Sequence, residues 1–297
     1  MGFALKTQMI IAQVPSYVPT NGLVGYWPFN GNANDESGNG NNGTVNGATL
    51  TTDRLGNTNS AYSFNGINNW IQVQNSSSLN PVSISISAWI KLNNYYNGNA
   101  SFVVNKGFDQ NQGHYDLNIV TFNQKFRFVL GPNIYLQSNS TVNLSEWKYL
   151  TATITGLTMK IYINGILENT ITQSTNYGLG SNAEDLYFGK MNSVNFPYWF
   201  NGLIDDIGIW NRALTQQEIT NLYNSVGSNE CLTLVINTGV LSTNPVTYTS
   251  TVNIYPNPAN DKVTVSIEGE GSASLKVTDV SGKVVMTSSI NLAGGKS

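Results

Sequence analysis

The stretch WKYLTATITGLTMKIYING, Trp147–Gly165, decides the fold class. Apolar and polar residues alternate along it with a period of two, the spacing that sends successive strand side chains to opposite faces. Ile161 and Ile163 alternate with Lys160, Tyr162 and Asn164, and Asn164-Gly165 supplies the pair of positive-φ residues that a two-residue hairpin turn needs. The stretch therefore predicts strands paired antiparallel.

Outward from it, the same rhythm runs from Leu23 to Ile209. Short alternating runs such as VSISISAWIKL (Val82–Leu92) and KFRFVLG (Lys125–Gly131) are broken by Asn-Gly, Gly-Pro or serine clusters. That is the pattern of a β-sandwich. One helix is expected, in ALTQQEITNLYN (Ala213–Asn224), where Thr215 and Glu218 have the spacing of a capping box and Ile219 and Leu222 form an apolar stripe. Residues 228–250 are threonine-rich and read as an extended linker. Beyond them a small β-unit is expected, with strands at Lys262–Glu268, Ser274–Asp279 and Lys283–Thr287, and its pattern stops part-way at Ser297 as a piece of a longer chain would.

Composition narrows the function. The 297 residues carry 10% charged side chains and a formal net charge of -3, so a face of clustered lysine and arginine for nucleic acid or an anionic membrane is not expected. One cysteine, Cys231, and one histidine, His114, exclude a disulfide framework and a multi-histidine or thiolate metal cluster. The run MIIA, Met9–Ala12, is too short to span a membrane. It reads either as the end of a secretory signal peptide cleaved near Ala12 or Gln13, or as an irregular N-terminus. The expected organisation is 1–13 as that remnant, 14–227 as the main domain, 228–250 as linker and 251–297 as the second domain.

Five motifs in order carry a resemblance: LVGYWPFNGNANDESGNGNNGTV, AYSFNGINNWIQV (Ala61–Val73), SISAWIKL, MKIYINGIL and WFNGLIDDIGIWNRALTQQEI (Trp199–Ile219). With these, Leu23 to Asn224 resembles a bacterial laminin-G-like, concanavalin A-like jelly-roll domain of pentraxin type. NIYPNPANDKVTV (Asn253–Val265) and DVSGKVV (Asp279–Val285) resemble the sorting domain that takes Bacteroidetes proteins through the type IX secretion system. The resemblance implies an all-β jelly-roll sandwich with one short C-terminal helix, a partial β-sandwich sorting domain, and a secreted or cell-surface protein.

Similar jelly rolls commonly hold a calcium ion between the first loop and the last strand. By that resemblance Asp35 and Asp205 are expected ligands, with Phe64, Asn65 and Gly66 as backbone or amide donors and Asp206 as the substitute for Asp205. Loops of Asp, Asn and Gly suit calcium because glycine lets carbonyls turn inward. On a regular strand only one of the adjacent acids Asp205 and Asp206 can face a given site. The competing reading is a local side-chain turn at Asp35 and a pairing of Asp205 or Asp206 with Arg212.

Catalysis is not expected. Glycan hydrolysis needs two carboxyl groups facing each other across a cleft, and no Glu-x-Asp-x-x-Glu spacing occurs; Glu146, Glu168, Glu184 and Asp185 stand in separate segments. There is no Gly-x-Ser-x-Gly elbow, and His114 in GHYDLNI reads mainly as a solvent-facing strand residue. Sugar binding asks for aromatic faces to stack on pyranose C–H groups, with amides and hydroxyls reading the hydroxyl groups. Trp27, Trp89, Trp147, Trp210, Phe126 and Phe128 sit in strand patterns and are read mostly as packing. Tyr95 and Tyr96, and Phe196, Tyr198 and Trp199, lie in loops and are candidate binding rims, equally open to a covering role; His114, Asp109, Asn111 and Gln112 could add hydrogen bonds. The expected function is a non-catalytic, calcium-stabilised carbohydrate-binding or adhesion module for a polysaccharide or cell-surface glycan. The alternative is a spacer or protein-interaction module, and a glycan-degrading enzyme ranks third.

Overall fold

The computed structural model describes residues 14–107, 113–131, 134–174, 179–193 and 198–225, together with the backbone of five strands between 233 and 292. Residues 1–13, Asp109, Asn111, Gln112, Phe196, Pro256–Pro258 of the YPNP motif and the DVSG motif lie outside the described residues. The chain divides into two compact units, Tyr17–Ser225 and one holding Val226–Ser297.

In the first unit the strands are β1 (Leu23–Trp27), β2 (Gly43–Asn46), β3 (Thr49–Thr51), β4 (Ala61–Asn65), β5 (Trp70–Val73), β6 (Ile84–Asn94), β7 (Ala100–Lys106) and β8 (Tyr115–Val120). After them come β9 (Lys125–Leu130), β10 (Ile134–Thr141), β11 (Trp147–Thr155), β12 (Thr158–Ile163), β13 (Ile166–Thr172), β14 (Leu186–Phe188) and β15 (Asn201–Trp210), then helix α1 (Gln216–Asn224). They form two antiparallel sheets. One has eight strands in the order β13-β12-β11-β6-β15-β4-β3 with β1 also on β15; the other has seven, β10-β9-β8-β7-β14-β5-β2.

Alternation explains the layering. Ile84, Ile86, Ala88 and Ile90 of β6 join a core shared with Leu117, Ile119, Phe126, Phe128, Ile71, Val73 and Phe188 of the seven-stranded sheet. Burial of each such side chain contributes roughly 1.5–3 kcal/mol. The two sheets close over this layer as a sandwich. The hairpin expected at Asn164-Gly165 is present: φ is 53° and 74°, and Ile163 pairs with Ile166.

Every residue of β6 from Ile84 to Ile90 is buried, including the outward Ser85, Ser87 and Trp89. The cover is α1 and its flanks. Ser85 Oγ donates to the Arg212 carbonyl and accepts from the Leu214 amide, while Trp89 stacks on Tyr223 with centroids 5.6 Å apart. The capping box is formed, with Thr215 accepting from the Glu218 amide and Glu218 returning to the Thr215 amide.

In the second unit Thr233–Thr238, Gly271–Thr278 and Val284–Leu292 make a three-stranded sheet, and Val252–Tyr255 pairs with Thr264–Ile267. Thr233–Thr238 falls in the segment expected to be linker. Its alternating TLVINT run pairs antiparallel with Gly271–Thr278.

Candidate functional site

The outward face of the seven-stranded sheet gathers the chemistry. Ile71 and Val73 of β5 point into the core, so Trp70 and Gln72 point out; Tyr187, between core residues Leu186 and Phe188, points out beside them. After β14 the chain leaves the sheet and returns before β15, with Lys190 bridged to Trp199 and the Met191 amide bonded to the Tyr198 carbonyl at 2.9 Å. This ribbon lays its aromatics on the sheet. Trp199 meets Trp70 at 5.8 Å, Tyr198 stacks on Phe102 at 6.0 Å, and Tyr96 meets Tyr198 edge-on at 5.8 Å. Trp70, Tyr96, Tyr198 and Trp199 are all partly exposed.

Next to the aromatics runs a buried polar row. His114 Nε2 lies 2.8 Å from Asp116 Oδ2, Asn118 Nδ2 donates to Asp116 Oδ1, and Arg127 Nε donates to Asn118 Oδ1 at 3.0 Å. Asn105, paired with Asp116 across β7 and β8, accepts from the Asn192 amide, and its Nδ2 is buried without a partner among the described residues. His114 is 1% exposed, not solvent-facing, because it precedes β8 on the covered side of the sheet. The HYDLNI alternation already places His114, Asp116 and Asn118 on one face; covering loops bury them.

Of the expected ligand residues, the structure brings together Tyr96 and Tyr198, and places Trp199 against Trp70. Tyr95 does not join them: its hydroxyl donates to the Val142 carbonyl at 2.7 Å and its ring packs on the core. Sequence reasoning missed Trp70, Tyr187 and Lys190. The first was legible, since alternation in NWIQV puts Trp70 opposite Ile71 and Val73.

The residues expected to hold calcium are engaged locally. Asp35 accepts backbone N–H groups from Tyr26 and Ser37 on Oδ1 and from Asn41 on Oδ2, at 2.9–3.0 Å, a carboxylate organising its own loop. Phe64 is buried in the core. Asn65 Oδ1 accepts from the Ile67 and Asn68 amides, and Gly66 turns the chain at φ 72°. Asp205 and Asp206 both bind Arg54, at 3.0 and 2.7 Å from Nη1. The alternative pairing with Arg212 does not occur, since Arg212 bonds Glu218 instead.

Both acids reach one guanidinium because β15 bulges against β6 between Asp205 and Gly208 and Asp206 has φ 46°, breaking strict alternation. Arg54 also lies 4.5 Å over the Trp89 ring and donates to the Ser225 carbonyl at the end of α1. Burial pushes the Asp205 carboxyl well up, with Asp206 adding to it and Arg54 opposing. A guanidinium that already fills the space between these carboxylates does not fit a calcium ion at the same pair. Among the described residues no group of three or more His, Cys, Asp or Glu is placed to hold a metal ion.

Comparison with known proteins agrees with this architecture. Domain 4 of AbnA, an extracellular arabinanase from Geobacillus stearothermophilus solved with arabinotriose, aligns at TM-score 0.56 and 20% identity over 68% of this chain and 98% of that one. The binding domain of Paraclostridial Mosquitocidal Protein 1 aligns at 0.58 and 19% over 87% and 76%. A Trypanosoma rangeli sialidase aligns at 0.52 and 18% over 69% of this chain and 33% of that one. At these identities the likeness is one of fold. No curated protein matches the chain in sequence. Residues 253–297 match the secretion system C-terminal sorting domain, which marks the protein for type IX export to the cell surface or beyond. Residues 64–220, more than half of the chain, match the remaining family model, and the chain thereby belongs to the concanavalin A-like lectin/glucanases superfamily.

Proposed function

We propose that residues 17–225 form a non-catalytic carbohydrate-binding or adhesion module of this exported protein. The observation that carries the reading is the partly exposed aromatic platform of Trp70 and Trp199, flanked by Tyr198 and Tyr96, on the outward face of the seven-stranded sheet. Rings held in this way offer apolar faces to pyranose C–H groups without an ordering cost on binding. Neighbours of the same fold include a domain solved with arabinotriose and one third of a sialidase chain, so the fold alone does not assign the function, and the site must decide.

What supports binding without catalysis is the state of Asp116. It is 2% exposed and its two oxygens are engaged by His114 and Asn118, an arrangement that holds a carboxylate in place rather than presenting it to a glycosidic bond. We further propose that the charge expected of calcium at Asp205 and Asp206 is supplied by Arg54. A glycan array probed with the full chain tests the function, followed by assay of the best ligand for new reducing ends. Array hits with no ends released are expected; ends released on prolonged incubation would assign the protein to the enzymes, and a blank array would leave a spacer or protein-binding module.

A further inference from the structure

Lys190 stands in the aromatic cluster without a counter-charge among the described residues. Its ammonium lies 4.5 Å from the centroid of the Trp70 ring and 4.3 Å from that of Tyr187, and its backbone is bridged to Trp199. Ring faces attract a cation through their quadrupole, yet they do not replace the oxygen acceptors that three ammonium N–H groups seek. Among the described residues no carboxylate pairs with Lys190.

The acids nearest in sequence are engaged elsewhere. Glu184 accepts from Asn192 Nδ2 at 2.7 Å, and Asp185 accepts from Gln72 Nε2 and the Asn75 amide at 2.6 and 2.8 Å. Lys106 shows what a satisfied buried lysine looks like in this fold, with Asn75 Oδ1, Asn182 Oδ1 and the Glu184 carbonyl all within 2.8 Å. Lys190 has no such shell among the described residues, and burial lowers its pKa. The indole N–H of Trp70, in the same cluster, is also buried without an acceptor among the described residues.

We infer that the platform takes an anionic sugar, with Trp70 and Trp199 against the ring and Lys190 paired to a carboxylate or sulfate substituent. The inference rests on the carbohydrate-binding reading and names its ligand class. The chain as a whole has a formal net charge of -3 and repels polyanions at long range, so a preference for acidic sugars can come only from a local site.

The test titrates the full chain with oligogalacturonate, the same oligomer after methyl esterification, a sulfated galactan oligosaccharide and a neutral galactan. Esterification removes the charge and leaves the sugar, so it needs no protein variant. Expected is binding at least about tenfold tighter to a charged oligomer than to its neutral counterpart. Lys190→Met should erase that preference and Lys190→Arg should keep it. The uronate and sulfate arms tell which anion is preferred. Equal binding of charged and neutral forms, or binding of neutral glycans alone, overturns the inference and leaves the carbohydrate-binding reading standing. Binding to none of these oligomers, joined to a blank array, overturns both.

Discussion

Arg54 shows how much of this domain hangs on single side chains. It is 6% exposed and joins β15, the Trp89 ring and the end of α1. Removing the cation from a buried pair leaves uncompensated charge, so Arg54→Met is expected to cost about 3–5 kcal/mol in urea unfolding. Asp205→Asn should leave stability unchanged or raise it, because Asp206 keeps the ion pair while a costly buried carboxyl is removed. With Arg54 in that place, melting of the wild-type chain is expected not to move between calcium and excess chelator; a rise with calcium would show an ion bound to the folded state.

Lys106 gives a second test at the same scale. Burial lowers its ammonium to about 8, with Asp185 and Glu184 opposing the shift. The folded state therefore releases a proton that the unfolded chain keeps until about pH 10.4, and stability gains from this group as pH rises through that window. Tyr26, Tyr115 and Tyr149, raised first by burial, act oppositely above about pH 10, where only the unfolded chain ionises its tyrosines. Chemical unfolding from pH 7 to 11 should thus show stability rising above about pH 8 and falling beyond about pH 10. A flat profile between 8 and 10 would remove Lys106 from the explanation.

At the scale of elements, α1 depends on its start. Thr215→Ala should cost about 1 kcal/mol, since it removes the side-chain oxygen that accepts from the Glu218 amide. Arg212 hydrogen bonding holds the Glu218 carboxyl down at about 2, so the pair's contribution is full above the ordinary carboxylate range and lost as pH falls through about 2. The sum of the two effects is small beside the core, and acid unfolding of Thr215→Ala against wild type measures it.

These elements also show where sequence is legible. The hairpin at Asn164-Gly165 and the capping box at Thr215 are local rules, readable because both partners lie within a few residues. The Asp205–Asp206 bulge is not local. Whether β15 slips against β6 depends on a strand more than a hundred positions away, so strict alternation set the two acids on opposite faces and hid their common partner. The candidate site was half legible for the same reason. Alternation puts Trp70, His114 and Asp116 outward, yet only His114 was expected there, and which of them a returning loop would cover depended on tertiary packing that spacing does not encode.

For the molecule as a whole, a sandwich carries a loop-built aromatic face, and a sorting tail sends it out of the cell. Under the proposed function it would meet polysaccharide outside the cell, where an array of fixed rings would give weak, geometry-dependent binding rather than the tight fit of an enclosed pocket. The most direct test titrates the full chain, Trp70→Ala and Trp199→Ala with the glycan that an array selects, alongside their melting curves. A sugar-stacking face requires binding by the wild type and a loss of at least about tenfold in each variant, with melting little changed. Equal binding by all three proteins, or none by the wild type, would contradict it.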